Sequence, residues 1–223
     1  MAKKKNPEET VKNILNTAMH LFKEKGFENT SILDIVEKMG VSRGAFYHHF
    51  KSKEEVLYAL LESKSNKEYE QSIYDNPSIN GLDKIRKLMY YTGVKLDKED
   101  HQEGCLLLNM WLGLLEDPRF MSEHLNECKT EDISWMVPLL LDAMRDGSVR
   151  QQNATLLAEL ILLLLNFWLI PTIYPIQDLA LFIEKTKLAK SILDDLGCPL
   201  VNDEVLALLQ EMAVSYEKSK KEP

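Results

Sequence analysis

A chain of 223 residues that is 45% hydrophobic and 28% charged can bury a sizeable core, and its nine glycines and eight prolines are too few for a sandwich of short strands and turns. Three cysteines at wide spacing, Cys105, Cys128 and Cys198, fit reduced thiols in a cytoplasmic protein better than a disulfide framework. The net charge of −8 argues against a polyanionic partner until it is split: residues 1–53 carry ten Lys/Arg against six Asp/Glu, whereas 54–223 carry seventeen against twenty-nine. A basic end on an acidic body turns that end toward a polyanion.

The opening Met-Ala-Lys-Lys-Lys-Asn-Pro has no apolar run behind it and does not read as a secretory signal. Val11, Ile14, Leu15, Ala18 and Phe22 then recur at helical spacing, and Gly26 is a natural stop, which gives a helix over 8–25. Thr30 or Ser31 can cap a short helix over 32–39 whose apolar face is Ile32, Ile35, Val36 and Met39. Gly40 supplies a turn, Ser42 caps a second short helix over 43–49, and Phe46 and Phe50 face inward. Ser52 and Glu55 form a capping box that opens a longer helix from Lys53.

Beyond a loop near Tyr74–Ser78, helices are expected at about 80–97, 104–115 and 118–146, the last bent at Pro138 and ended by Gly147. Residues 152–170 make the most apolar helix, 178–196 is amphipathic, and a final helix covers 203–217. The eighteen uncharged residues from Leu160 to Gln177 reach the length of a membrane span. Asn166, Pro171 and Pro175 lie inside them and basic flanks are missing, so no membrane span is expected.

Two short helices around a glycine turn, the second polar on its outer side, make a helix-turn-helix over about 31–50. The first packs on helix 8–25 and leaves the second free for a major groove about 12 Å wide. Arg43 can grip guanine in a bidentate way, Ala45 can touch a thymine methyl, and Gly44 allows close backbone approach. Tyr47, His48, His49 and Lys53 suit phosphates, as does the N-terminus of helix 32–39 with Thr30, Ser31 and, on the next cap, Ser42.

The run from Thr30 to Lys53 resembles the DNA-binding signature of the TetR (tetracycline repressor-like) family, at Thr30, Ile35, Val36, Gly40, Val41, Ser42, Tyr47, His49, Phe50 and Lys53. Val36 and Met39 stand where smaller alanines are usual, away from the outer side of the second helix. The resemblance implies an all-α chain: an N-terminal three-helix helix-turn-helix domain over 1–53 and a larger helical effector-binding and dimerisation domain over 54–223. It implies double-stranded DNA with a palindromic operator as partner, a homodimer, and a small-molecule effector that releases the operator. It implies neither an enzyme nor a cofactor.

In the body, a helix apolar all round, like 152–170, must be covered on every side. A second copy is the simplest cover for its outer side, through Leu157, Leu160, Leu164 and Trp168 together with Leu181, Leu188 and Ile192 of the next helix. The family resemblance also implies an effector cavity, for which Met89, Tyr90, Met110, Trp111, Trp135, Met136 and Phe167 are the candidate liners. The same residues at helical spacing also suit an ordinary core. With no charge among them, a largely apolar effector is expected. Two other readings stay open: a metal-responsive regulator built on His101, Glu103, Cys105, His124 and Cys128, and a dimeric helical protein without DNA binding.

Overall fold

The computed structural model describes residues 7–63, 67–93 and 101–219, the side chains of 90–93, 101–105 and 219 excepted. The described residues form helices and turns, with no strand among them, and the chain divides into two compact units at Ser65 and Asn66.

The first unit holds α1 (Pro7–Lys25), α2 (Ile32–Met39), α3 (Arg43–Tyr47) and α4 (Lys53–Ser63). Helix α1 buries Ile14, Ala18, Leu21 and Phe22 and stops at Gly26, whose φ of 80° suits a residue without Cβ. Helix α4 packs on α1 and buries Val56, Leu57 and Leu60. The unit therefore ends at Ser65 and not at the expected Lys53, because the start of a helix is not the edge of a core. Ser52 caps α4 by accepting the Glu55 N–H at 3.1 Å, while the Glu55 carboxylate accepts the Lys51 N–H at 2.6 Å.

The second unit holds α5 (Lys67–Tyr74), α6 (Gly81–Gly93), α7 (His101–Leu114), α8 (Pro118–Glu127), α9 (Ile133–Asp146), α10 (Ala154–Leu163), α11 (Leu179–Asp195) and α12 (Asp203–Ser219). The helix expected over 118–146 is one continuous helical run in which a π turn, Cys128–Asp132, joins α8 to α9. In an α-helix each step of four residues overshoots a full turn by about 40°. The π turn takes up that drift and keeps His124, Cys128, Met136 and Leu140 all buried. A second π turn, Leu164–Trp168, ends α10.

Ile85 of α6, Leu140 and Ala143 of α9, Ala158 and Ile161 of α10 and Leu193 of α11 are wholly buried at the centre of this unit. Helices α6 and α9 approach so closely that a Cβ on Gly81 would lie 2.3 Å from the Ala143 backbone nitrogen. Asp146, at the end of α9, accepts the Gly81 N–H at 2.6 Å and so caps α6. No helix among the described residues is long and apolar enough to cross a membrane.

Candidate nucleic-acid interface

The turn between α2 and α3 is built by backbone chemistry. Gly40 adopts the left-handed conformation at φ 63°, ψ 34°, and the Val41 N–H returns to the Val36 carbonyl at 3.3 Å. Ser42 then starts α3 by accepting the Ala45 N–H at 3.3 Å. Phe46 anchors α3 from below: it is wholly buried, with the Phe50 ring at 6.1 Å and the Tyr47 ring edge-on at 5.7 Å. With Phe46 pointing in, Ser42, Arg43, Gly44, Tyr47 and His48 are exposed and Ala45 and His49 are half-buried. The His48 and His49 rings meet edge to face at 5.0 Å.

Gly44 has no reason within the chain to be glycine. It lacks a positive φ, and an added Cβ would meet nothing nearer than Ser42 Oγ at 3.9 Å. A glycine inside a helix costs about 1 kcal/mol against alanine, so an outward glycine there suits close approach of something outside the chain.

The sequence model described as "Bacterial regulatory proteins, tetR family" matches residues 14–60, the stretch that runs from the buried Ile14 of α1 to the buried Leu60 of α4. Over that stretch the chain is similar to the tetR family. It is 28% identical over 153 residues to the uncharacterized HTH-type transcriptional regulator YvaF of Bacillus subtilis, which spans 63% of this chain and 79% of that protein. It is 41% identical over 64 residues to the HTH-type transcriptional regulator AcrR of Shigella flexneri, or 28% of this chain and 30% of that one. In structure it is similar to a putative TetR-family regulator from Syntrophomonas wolfei, with a TM-score of 0.52, 20% identity and 96% of each chain covered. That last likeness bears on the fold alone.

The chain departs from the expected contact set at three places. Thr30 is 2% exposed, and its hydroxyl donates to the Gly26 carbonyl at 2.8 Å. It secures the end of α1 and is not on the outer surface. Ser31 is the cap of α2, and its partner is Asp34: the Asp34 N–H donates to Ser31 Oγ at 3.2 Å and the Ser31 N–H to the Asp34 carboxylate at 2.8 Å. The end of α2 expected to offer N–H groups to a phosphate thus already holds a carboxylate. The Lys25 ammonium at 2.5 Å, with Ser31, holds Asp34 far below the usual carboxylate range. The Ser31-x-x-Asp34 spacing carries that signal in the sequence.

Lys53 is the third departure. Its ammonium donates to the carbonyls of Phe27 at 2.9 Å and Glu28 at 3.3 Å and lies 4.3 Å from the centre of the Phe27 ring. The same side chain that can meet a phosphate therefore also ties the loop after α1 to α4. Lys51, exposed on the turn between α3 and α4, is a basic residue that the family pattern does not single out.

In the second unit, the structure separates the candidate effector liners. Met136 is buried and Met89 and Trp135 are half-buried at the main core, whereas Trp111 belongs to a smaller cluster with Leu112, Leu115, Ile170 and Tyr216. Met110 is buried and Phe167 half-buried, and the Tyr90 side chain lies outside the described residues. Among the dimer candidates, Leu157 and Leu164 are buried within the unit itself, and Leu160, Trp168 and Ile192 are half-buried against its core. Leu181 and Leu188 are more than half exposed, and so are Leu156 and Leu163, the outward leucines of α10. No three of His, Cys, Asp and Glu stand together to hold a metal ion among the described residues. His101, Glu103 and Cys105 have side chains outside that set.

Proposed function

We propose that the chain is a homodimeric cytoplasmic regulator of transcription that reads a palindromic operator with α3 and is released from it by a small molecule bound in its second unit. One observation carries the reading. The outer side of α3 presents Arg43, Gly44, Tyr47 and His48 to solvent while Phe46, on its other side, is wholly buried. Arg43 and Ala45 are the base-reading candidates. Ser42, Tyr47, His48, His49, Lys51 and the remaining N–H of Lys53 are the phosphate candidates. The names of the relatives, HTH-type transcriptional regulators, favour the same role.

The second copy is supported by Leu156, Leu163, Leu181 and Leu188, four exposed leucines on two neighbouring helices in sequence. Two of them, Leu181 and Leu188, line an open groove of about 530 Å³ together with Trp168, Tyr174, Phe182 and Lys185. A two-fold dimer sets recognition helices about 34–36 Å apart, one turn of DNA. A ligand bound more tightly by one spacing of those helices than another shifts affinity by roughly 1–3 kcal/mol.

Selection of bound sites from a random duplex library tests this. The expected product is a pseudo-palindromic site, and Arg43→Ala flattens its preference at a symmetric pair of positions. Failure to enrich any duplex leaves a dimeric helical protein without DNA binding. An unchanged site after Arg43→Ala removes Arg43 from the reading set.

A further inference from the structure

Three aromatic residues read as liners of an apolar pocket converge instead on polar atoms. His124 is buried, with the Trp111 ring edge-on at 5.1 Å and the Phe167 ring tilted at 5.3 Å. Its Nε2 is 3.4 Å from the Asn166 carbonyl, and Cys128 Sγ lies 4.0 and 3.9 Å from Nδ1 and Nε2, beside the ring and in line with neither nitrogen. The Asp132 carboxylate accepts the Trp135 Nε1–H at 3.3 Å and the Asn166 amide N–H at 3.4 Å, and that amide also reaches Cys128 Sγ at 3.4 Å. All these contacts sit at the long end of hydrogen bonding. Cys128, Asp132, Asn166 and Phe167 belong to the two π turns, a distortion that recurs at functional sites.

The unbalanced quantity is charge. Asp132 is half-buried, its hydrogen-bond donors are neutral, and no lysine or arginine among the described residues pairs with it. His124 does not supply the counter-charge, because burial pushes its pKa below the usual histidine value. The helical run 118–146 carries three Lys/Arg against six Asp/Glu, so the surroundings add negative potential. A carboxylate without a counter-charge, bonded to Trp135 and linked through Asn166 and His124 to the Trp111 and Phe167 rings, supplies what a flat cation needs: an anionic anchor and π faces. Asn166, Trp111, Trp135 and Phe167 are only half-buried, so each keeps part of its surface open to solvent.

We propose that this cluster binds a small planar organic cation, about the size of two fused rings, anchored by Asp132 and flanked by Trp111, Trp135 and Phe167. Its role as effector rests on the regulator reading above, but the binding does not. A charged ligand here replaces the largely apolar effector that the liners suggest when taken without Asp132.

Calorimetric titration of the full chain with 1-methylquinolinium and with 2-naphthoate, two fused rings of opposite charge, tests the proposal. The cation is expected to bind at least about tenfold more tightly, and Asp132→Asn to abolish the difference while thermal unfolding stays near that of the wild type. Phe167→Leu keeps the carboxylate and weakens the cation about fivefold. Equal binding, no heat with either compound at millimolar concentration, or a preference that survives Asp132→Asn overturns the site. Duplex binding in the same preparation separates the two readings. A chain that prefers the cation and ignores duplexes keeps the site and loses the regulator, whereas one that binds duplexes without preferring the cation loses the site alone.

Discussion

Replacing Gly44 by alanine separates stability from binding. Gly44 is the second residue of the five-residue α3, has an ordinary helical φ, and an added methyl would find its nearest neighbour at 3.9 Å. The substitution introduces no strain and removes backbone freedom from the unfolded chain. In a helix interior that exchange is worth about 1 kcal/mol, and near the end of so short a helix about half of that is expected as added stability. In the proposed complex the same methyl lies between α3 and the base edges. Overlap there, or a backbone held farther off, costs at least about 1.4 kcal/mol, a tenfold loss of affinity. Urea unfolding and fluorescence anisotropy on a labelled duplex measure the two effects. A stabilised variant that binds as well as the parent shows that α3 does not approach DNA as described, and a destabilised one shows that α3 has a different local geometry.

Gly81→Ala forces a Cβ to within 2.3 Å of the Ala143 backbone nitrogen and pushes α6 off α9. About 3 kcal/mol is expected, roughly a 10 °C fall in the melting temperature of the second unit, and an unchanged melting curve contradicts that packing. Leu163 and Leu188 are each 53% exposed on one chain, so if water were their native surroundings Leu163→Glu and Leu188→Glu would change stability by less than about 0.5 kcal/mol. If a second copy covers them, both variants run as monomers in light scattering where the wild type runs as a dimer. Burial pushes the Cys128 thiol up to about 12 and Cys198 up to about 11, so at pH 8 both stay protonated and resist iodoacetamide in the folded protein. Their rapid modification, read peptide by peptide in a mass spectrometer, contradicts that burial.

The first unit was largely legible because each of its signals is local. Gly26 and Gly40 mark positive φ, Ser42 a cap, and Phe46 and Phe50 a buried side four residues apart. Its misreadings came from competition between neighbours. Thr30 and Ser31 both looked like caps, and only packing shows that Thr30 faces inward. Lys53 looked free for phosphate, while its carbonyl partners at Phe27 and Glu28 are far back in the chain. In the second unit, apolar periodicity found the helices but not which side of each faces out. Leu156 and Leu157 are equally apolar neighbours, yet the first is 61% exposed and the second 3%. The π turns escaped too, because an extra residue in a turn leaves no mark in the sequence, and with them escaped the meeting of His124 and Cys128 with Asp132 and Asn166.

The salt dependence of duplex binding bears most directly on whether α3 faces nucleic acid. A chain that sets Arg43, Lys51 and their two-fold mates against phosphates and bases loses affinity linearly on a log–log scale, with a slope of about −0.9 per phosphate neutralised. A slope of several, lowered by about one for each basic residue removed from the two copies, is the predicted result. No retention of a duplex even at low salt, or a slope that ignores the loss of Arg43 and Lys51, contradicts it.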